Sequence, residues 1–238
     1  MHSQLDKIKL LESKPKVLKK FFSSNDLDKF LNLYECLPTT VDNKKQKVIK
    51  KRWIEGYGKD LELFFKKKLE SELGLFKMDN LISDDGKECF GLFQESYNPL
   101  KLHVDAGFNL NDLIYKQTLV PLSKYGQTVI FKNRFYGYST NFTRNEAELT
   151  ENNENEFKKG KNVRSDKHLE MFGDKSFDEK NYKKYLIHED IDNLRGLELE
   201  FIYEWNLGDL LIFDRTNLHC SSSNIKDKKI GLTTFTKK

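Results

Sequence analysis

Apolar residues in the first third of the chain recur at helical spacing. Leu27, Phe30, Leu31 and Tyr34 share one face behind Ser23-Ser24-Asn25-Asp26, whose side-chain oxygens suit an N-cap, and Pro38 ends the run. Residues 59–73 place Leu61, Phe64, Phe65, Leu69 and Leu73 on a second apolar face, with Gly74 where a C-terminal cap belongs. Residues 5–20 carry a looser pattern (Leu5, Ile8, Leu11) broken by Pro15, which reads as a weak helix or an extended arm. The stretch 42–52 is basic and reads as a solvated loop or helix face. These helices are expected to buttress a sheet, and nothing in them carries chemistry.

From Glu88 the pattern changes. Cys89 to Tyr97 reads as a strand closed by an Asn98-Pro99 turn, and residues 100–107 are short and extended. Residues 119–122 and 128–131 read as two strands joined by Ser123-Lys124-Tyr125-Gly126-Gln127. Leu197, Leu199, Phe201, Tyr203 and Trp205 alternate strictly, the mark of a half-buried strand. Asn206-Leu207-Gly208-Asp209 turns tightly into a return strand at 210–213, and 230–236 is a final strand. Many short strands punctuated by turns predict an antiparallel sandwich or barrel. The fold class is therefore mainly β with N-terminal helices (α+β).

One domain is expected over residues 1–238: helical support over 1–80, and a β core over 88–236 carrying a polar insert at 137–195. The insert holds an acidic run (151–156) and a basic one (158–161) with no apolar period, and is expected to be a lid or to lack structure. His168 and His188 fall between residues 141 and 194 without partners at metal-ligand spacing, and both read as surface residues.

Composition narrows the function classes. With 41 basic and 37 acidic residues interleaved, the net charge of +4 argues against a dedicated nucleic-acid partner. Eighteen Phe and ten Tyr supply the core that the modest aliphatic content does not. Cys36, Cys89 and Cys220 show neither a disulfide framework nor zinc spacing, which fits a reducing cytoplasm. No apolar run suggests a signal peptide or a membrane span.

The candidate chemistry centres on His103-Val104-Asp105. Side chains two apart on a strand point to the same side, so this imidazole and carboxylate can occupy adjacent positions on one metal ion. His219, beyond the return strand, is a third ligand candidate. Two His and one carboxylate form the facial triad of non-haem Fe(II) oxygenases, which leaves three coordination positions open.

Taken together, three stretches resemble the 2-oxoglutarate and Fe(II)-dependent oxygenase superfamily, in particular its prolyl-hydroxylase and phytanoyl-CoA-hydroxylase-like members. Leu102-His103-Val104-Asp105 resembles the first two iron ligands. Residues 122–131 resemble the following strand pair, although the usual Gly pair is here Gly126-Gln127. Residues 205–213 resemble the hairpin before the distal His, matched by His219. The resemblance covers about residues 88–236 and implies a double-stranded β-helix (jelly-roll, cupin-like) core. It implies Fe(II), 2-oxoglutarate and O2 as metal, cosubstrate and oxidant, and a hydroxylation of a small-molecule or peptidyl substrate with release of succinate and CO2. Halogenases of the superfamily replace the carboxylate by a small residue; Asp105 is kept here.

Lys229, ten residues after His219, matches the cation that holds the cosubstrate's far carboxylate, with its neighbour Lys228 as the alternate. Gln94, Tyr97 and Thr128 are candidates to hydrogen-bond the cosubstrate, and Arg134 and Arg215 to meet an anionic substrate. Two rival readings stay open: a non-catalytic cupin-like binding module, and a non-oxygenase metalloenzyme on the same barrel for which Lys229 is dispensable.

Overall fold

The computed structural model describes residues 3–82, 86–105, 113–136, 141–143, 161–163 and 173–238. The long helices lie in the N-terminal third, α1 (Gln4–Leu10), α2 (Ser24–Cys36) and α3 (Lys59–Leu73), and short helical turns follow at Glu179–Asn181, Tyr182–Leu186 and Ile191–Leu194. The strands of the first half are β1 (Lys16–Leu18), β2 (Thr39–Asn43), β3 (Val48–Ile54), β4 (Lys77–Met78), β5 (Leu81–Ile82), β6 (Glu88–Ser96) and β7 (Ile114–Pro121). Then follow β8 (Gln127–Arg134), β9 (Asn141–Thr143), β10 (Lys161–Val163), β11 (Leu199–Glu204), β12 (Leu210–Asp214), β13 (Asn217–Ser221) and β14 (Lys229–Lys237).

The architecture is a double-stranded β-helix. The major sheet runs β1-β12-β7-β14-β6-β3-β2, with β4 on β14 and β5 on β6; the minor sheet is β11-β8-β13. Within both sheets the pairings are antiparallel. A parallel pair, β9 with β10, stands apart from them.

Helices α2 and α3 pack on the outer face of the major sheet. Ser23 and Asp26 form a reciprocal capping box that starts α2, and Gly74 closes α3, as the sequence predicts. The apolar faces of these helices meet Trp53, Phe90, Phe93, Val120, Leu210, Ile212 and Leu232 from the sheet. Phe30, Trp53, Phe65 and Phe93 are wholly or almost wholly buried there. Each such side chain contributes roughly 1.5–3 kcal/mol of transfer free energy.

Two expectations are corrected. Residues 42–52 are not a solvated loop or helix face: they belong to the hairpin β2–β3, and β3 pairs with β6 over Val48 to Ile54. The N-terminal third thus extends the sheet as well as buttressing it. The described parts of the 137–195 segment are not a bare polar lid. Phe142, Phe177, Leu186 and Leu194 are buried against Val129, Phe131, Leu218 and Cys220, on the outer face of the minor sheet. The two charged runs and His168 lie outside the described residues, apart from the backbone of Lys161 in β10. None of the described helices is long and apolar enough to cross a membrane.

Candidate metal centre

Backbone pairing brings the three ligand candidates together. His103 N–H donates to the His219 carbonyl and His219 N–H to the His103 carbonyl, both at 2.9 Å. This isolated bridge lays the 103–105 segment along β13 as an extra edge of the minor sheet. One ligand atom from each of His103, Asp105 and His219 lies within 4.8 Å of the other two. His219 Nε2 is 3.3 Å from Asp105 Oδ2, and His103 Nε2 is 3.8 Å from Asp105 Oδ1.

The two imidazoles are held the same way. Nδ1 of His103 lies 2.6 Å from the Lys101 carbonyl, and Nδ1 of His219 lies 3.0 Å from the Asn217 carbonyl. A carbonyl only accepts, so each Nδ1 carries the proton and each Nε2 presents a lone pair toward Asp105. Burial, reinforced by His219, lowers the His103 pKa to about 4; the charge of Lys50 contributes to the same depression. Burial raises the Asp105 pKa, but the flanking His219 and His103 rings and the Gln117 amide outweigh it and hold the carboxyl well below its usual range. A carboxylate beside two imidazoles, each anchored through Nδ1, is a donor set for a divalent first-row metal.

Gln117, on the inner face of β7, donates through Nε2 to Asp105 Oδ2, and that nitrogen is 3.5 Å from His219 Nε2. Its Oε1 is buried with no partner among the described residues.

Lys229 begins β14 on the inner face, 4% exposed, whereas Lys228 is exposed. Its ammonium donates to Ser221 Oγ and lies 4.8 Å from the centre of the Trp205 ring. No carboxylate pairs with it among the described residues. Burial lowers its pKa to about 8. Ser96, its register partner on β6, has a buried hydroxyl without a partner among the described residues. Thr128 Oγ1 accepts from Trp205 Nε1 at 2.9 Å, so Thr128 fixes the ring beside Lys229. A Cβ on Gly126 would come within 2.5 Å of the Trp205 ring and 2.9 Å of Lys229 Cδ, so a glycine makes room for this wall. A buried cation without a carboxylate partner among the described residues, beside the unpartnered Ser96 hydroxyl, fits the carboxylate of a dianionic cosubstrate, and the triad fits Fe(II).

Other candidate residues lie differently. Gln94 is half-buried on the inner face of β6, in register with Gly231 and Lys50. Tyr97 is 44% exposed, and its hydroxyl donates to Glu95 Oε1 at 2.5 Å, on the side of β6 that faces α2; this corrects its assignment to the cosubstrate. Arg134 and Arg215 are also corrected. Arg134 pairs with Glu12 at 3.3 Å and Asp214 at 2.8 Å, and Arg215 is buried against Asp79 at 2.5 Å, so both guanidiniums are already neutralised. His188 is not a surface residue: its side chain is 12% exposed, it contacts Ser223 Oγ and the Leu100 carbonyl, and burial lowers its pKa to about 4. Sequence reasoning missed Gln117, Ser96 and Ser221. Strand alternation from Leu119 and from His219 marks Gln117 and Ser221 as inner-face positions, but nothing in their residue types signals chemistry.

No protein-family model matches this chain, and no curated protein matches it. Solved structures do. The chain is similar to the non-haem α-ketoglutarate-dependent carbocyclase SnoK from nogalamycin biosynthesis (TM-score 0.54, 9% identity, 98% of this chain and 83% of that one). It is also similar to HygX from Streptomyces hygroscopicus, solved with nickel and 2-oxoglutarate bound (TM-score 0.51, 11% identity, 98% and 86%). A third is the epimerase SnoN in complex with Fe3+, α-ketoglutarate and a nogalamycin derivative (TM-score 0.50, 8% identity, 98% and 84%). At these identities the likeness establishes the fold, which this chain shares with 2-oxoglutarate-dependent enzymes along nearly its whole length.

Proposed function

We propose that this chain is an Fe(II)- and 2-oxoglutarate-dependent oxygenase that oxidises a small-molecule or peptidyl substrate. The observation that carries the reading is the pair of Nδ1-anchored imidazoles, His103 and His219, aiming two lone pairs at the Asp105 carboxylate inside a double-stranded β-helix. His103, Asp105 and His219 would hold the metal. Lys229 would hold the distal carboxylate of 2-oxoglutarate, with Ser96 and Ser221 offering hydroxyls and Gln94 a neighbouring amide. Iron with 2-oxoglutarate and O2 would supply an oxidant able to abstract hydrogen from carbon, the cosubstrate leaving as succinate and CO2.

The chain's own groups do the rest. Gln117 orients the Asp105 carboxylate, the carbonyls of Lys101 and Asn217 fix both tautomers, and Phe213 packs edge-on to His219 at 5.0 Å between ring centres. Leu119, Ile130, Tyr203 and Leu211 form a buried apolar cluster, with Trp205 packed on it, beside the Lys229 pocket and keep water from it.

The test is anaerobic addition of Fe(II), then 2-oxoglutarate, to metal-free protein, with His219→Ala and Lys229→Ala alongside. A visible charge-transfer band is expected in the wild type, absent in His219→Ala and weakened in Lys229→Ala. A folded wild type without the band would sink the oxygenase reading in favour of a binding module. A band indifferent to Lys229→Ala would remove that residue's role.

A further inference from the structure

The inner face of β3 carries two cations that the proposed chemistry does not use. Lys51 turns outward, donating to the Tyr34 carbonyl at 2.8 Å and lying over the Tyr34 ring against α2. Strand alternation therefore turns Lys50 and Arg52 inward, toward the space between the sheets. The register agrees: Lys50 pairs with Gln94, and Arg52 with Leu92, both on the inner face of β6. Gln94 pairs in turn with Gly231, two residues from Lys229. Lys50 and Arg52 are half-buried, and neither has a carboxylate partner among the described residues. Their backbone positions are about 6.6 Å apart on one face, so both cations project into the same space, where they repel each other and favour an anion that contacts both. The pair thus faces the inter-sheet space from the β6–β3 side, one strand further from β14 than the Gln94 side chain and separate from Lys229.

We infer that Lys50 and Arg52 form the recognition site for an acidic group on the substrate, which is therefore an anionic small molecule bearing a carboxylate or a phosphate. This rests on the oxygenase reading for the word substrate, though not for the anion site itself. Arg52 offers a planar fork suited to either group, and Lys50 a point charge beside it. Sequence alone hides the site, because a Lys and an Arg in a basic stretch look like solvent-facing charge.

The experiment uses protein loaded anaerobically with Fe(II) and saturating 2-oxoglutarate, so that Lys229 is occupied. Phenyl phosphate and phenylacetate are titrated by calorimetry, with phenylacetamide as the neutral control. The proteins are wild type, Lys50→Met, Arg52→Met, the double variant, and Lys45→Met, which removes an exposed charge from the turn of the same hairpin. Wild type and Lys45→Met should bind one or both anions and ignore the amide. Each inner-face variant should weaken binding several-fold, and the double variant at least tenfold, with the 2-oxoglutarate band unchanged. The stronger anion names the acidic group as phosphate or carboxylate. No anion binding by wild type, or equal binding by the double variant, overturns the inference. Loss of the band in wild type would instead overturn the oxygenase reading, and the anion titration would still report on Lys50 and Arg52.

Discussion

Glu189 Oε1 accepts the backbone N–H of Leu102 at 2.5 Å, one residue before the first ligand candidate, His103. The neighbouring His188 Nε2 lies 3.3 Å from the Leu100 carbonyl. On its other edge the same short segment exchanges hydrogen bonds with His219. The strand that carries His103 and Asp105 is thus gripped from both sides, once by β13 and once by residues of the insert. Glu189→Ala should leave a buried N–H unsatisfied at a cost of roughly 1–3 kcal/mol. It should also weaken metal binding, because His103 loses its support. Glu189→Gln keeps an acceptor oxygen and should restore most of the metal affinity. Urea unfolding together with a metal titration checks this; equal metal affinity in wild type and Glu189→Ala would show that β13 alone holds the segment.

Asp214 receives both Lys116 and Arg134 in a site where the Lys116 and Asp214 side chains are about 5% exposed or less. Asp214→Asn removes the charge that both cations need, and breaking a buried pair in this way costs about 3–5 kcal/mol. Arg134 is a fold-holding residue on this account, so the folded fraction of Asp214→Asn should bind Fe(II) and 2-oxoglutarate as the wild type does. Thermal unfolding and the anaerobic band separate the two effects. An unchanged melting temperature would return Arg134 to the list of residues available to a substrate.

What the sequence made legible follows from how local each signal is. His103 and Asp105 share a strand face by their spacing, and Ser23 with Asp26 writes its own capping box, so both could be read from a few adjacent residues. Gln117 could not, because its role comes from lying opposite Asp105 across the barrel. Residues 42–52 failed for a different reason. Lys50 faces inward and Lys51 outward, and both side chains bury apolar stems while keeping a charged head, so the strand shows no hydrophobic alternation. Arg134 and Arg215 were misread because their carboxylates, Glu12, Asp214 and Asp79, come from distant parts of the chain.

The lowered pKa of Lys229 sets a pH window. Below about 8 the ammonium is charged and can hold a carboxylate; above it, the free protein loses the proton first. The affinity for 2-oxoglutarate should be flat from pH 6.5 to about 8 and then fall, approaching tenfold per pH unit. Stability moves the other way. Between about 8 and the ordinary lysine value the unfolded chain binds more protons than the folded one, so the contribution of Lys229 to unfolding free energy rises with pH. Titrations of 2-oxoglutarate at several pH values, with Lys229→Met as the control, test the first point. A wild-type affinity as flat as that of the control would exclude Lys229 as the anchor.

Gly126 gives the most direct probe of the pocket wall. Its missing side chain leaves the space into which the Trp205 ring and the Lys229 stem fit, with a hypothetical Cβ at 2.5 Å and 2.9 Å from them. Backbone geometry here tolerates alanine, since Gly126 is not among the residues with positive φ. The damage from Gly126→Ala should therefore be steric and local: Trp205 must shift, the hydrogen bond from its Nε1 to Thr128 must lengthen, and Lys229 must move off its position beside Ser221. Overpacking of this kind costs about 1–3 kcal/mol. Because His103, Asp105 and His219 are untouched, Fe(II) affinity should stay as in the wild type while the 2-oxoglutarate dissociation constant rises at least tenfold. Calorimetry of the two ligands in turn distinguishes this from a general loss of structure, which would weaken both. An unchanged 2-oxoglutarate affinity would mean that the cosubstrate does not use the space bounded by Trp205 and Lys229.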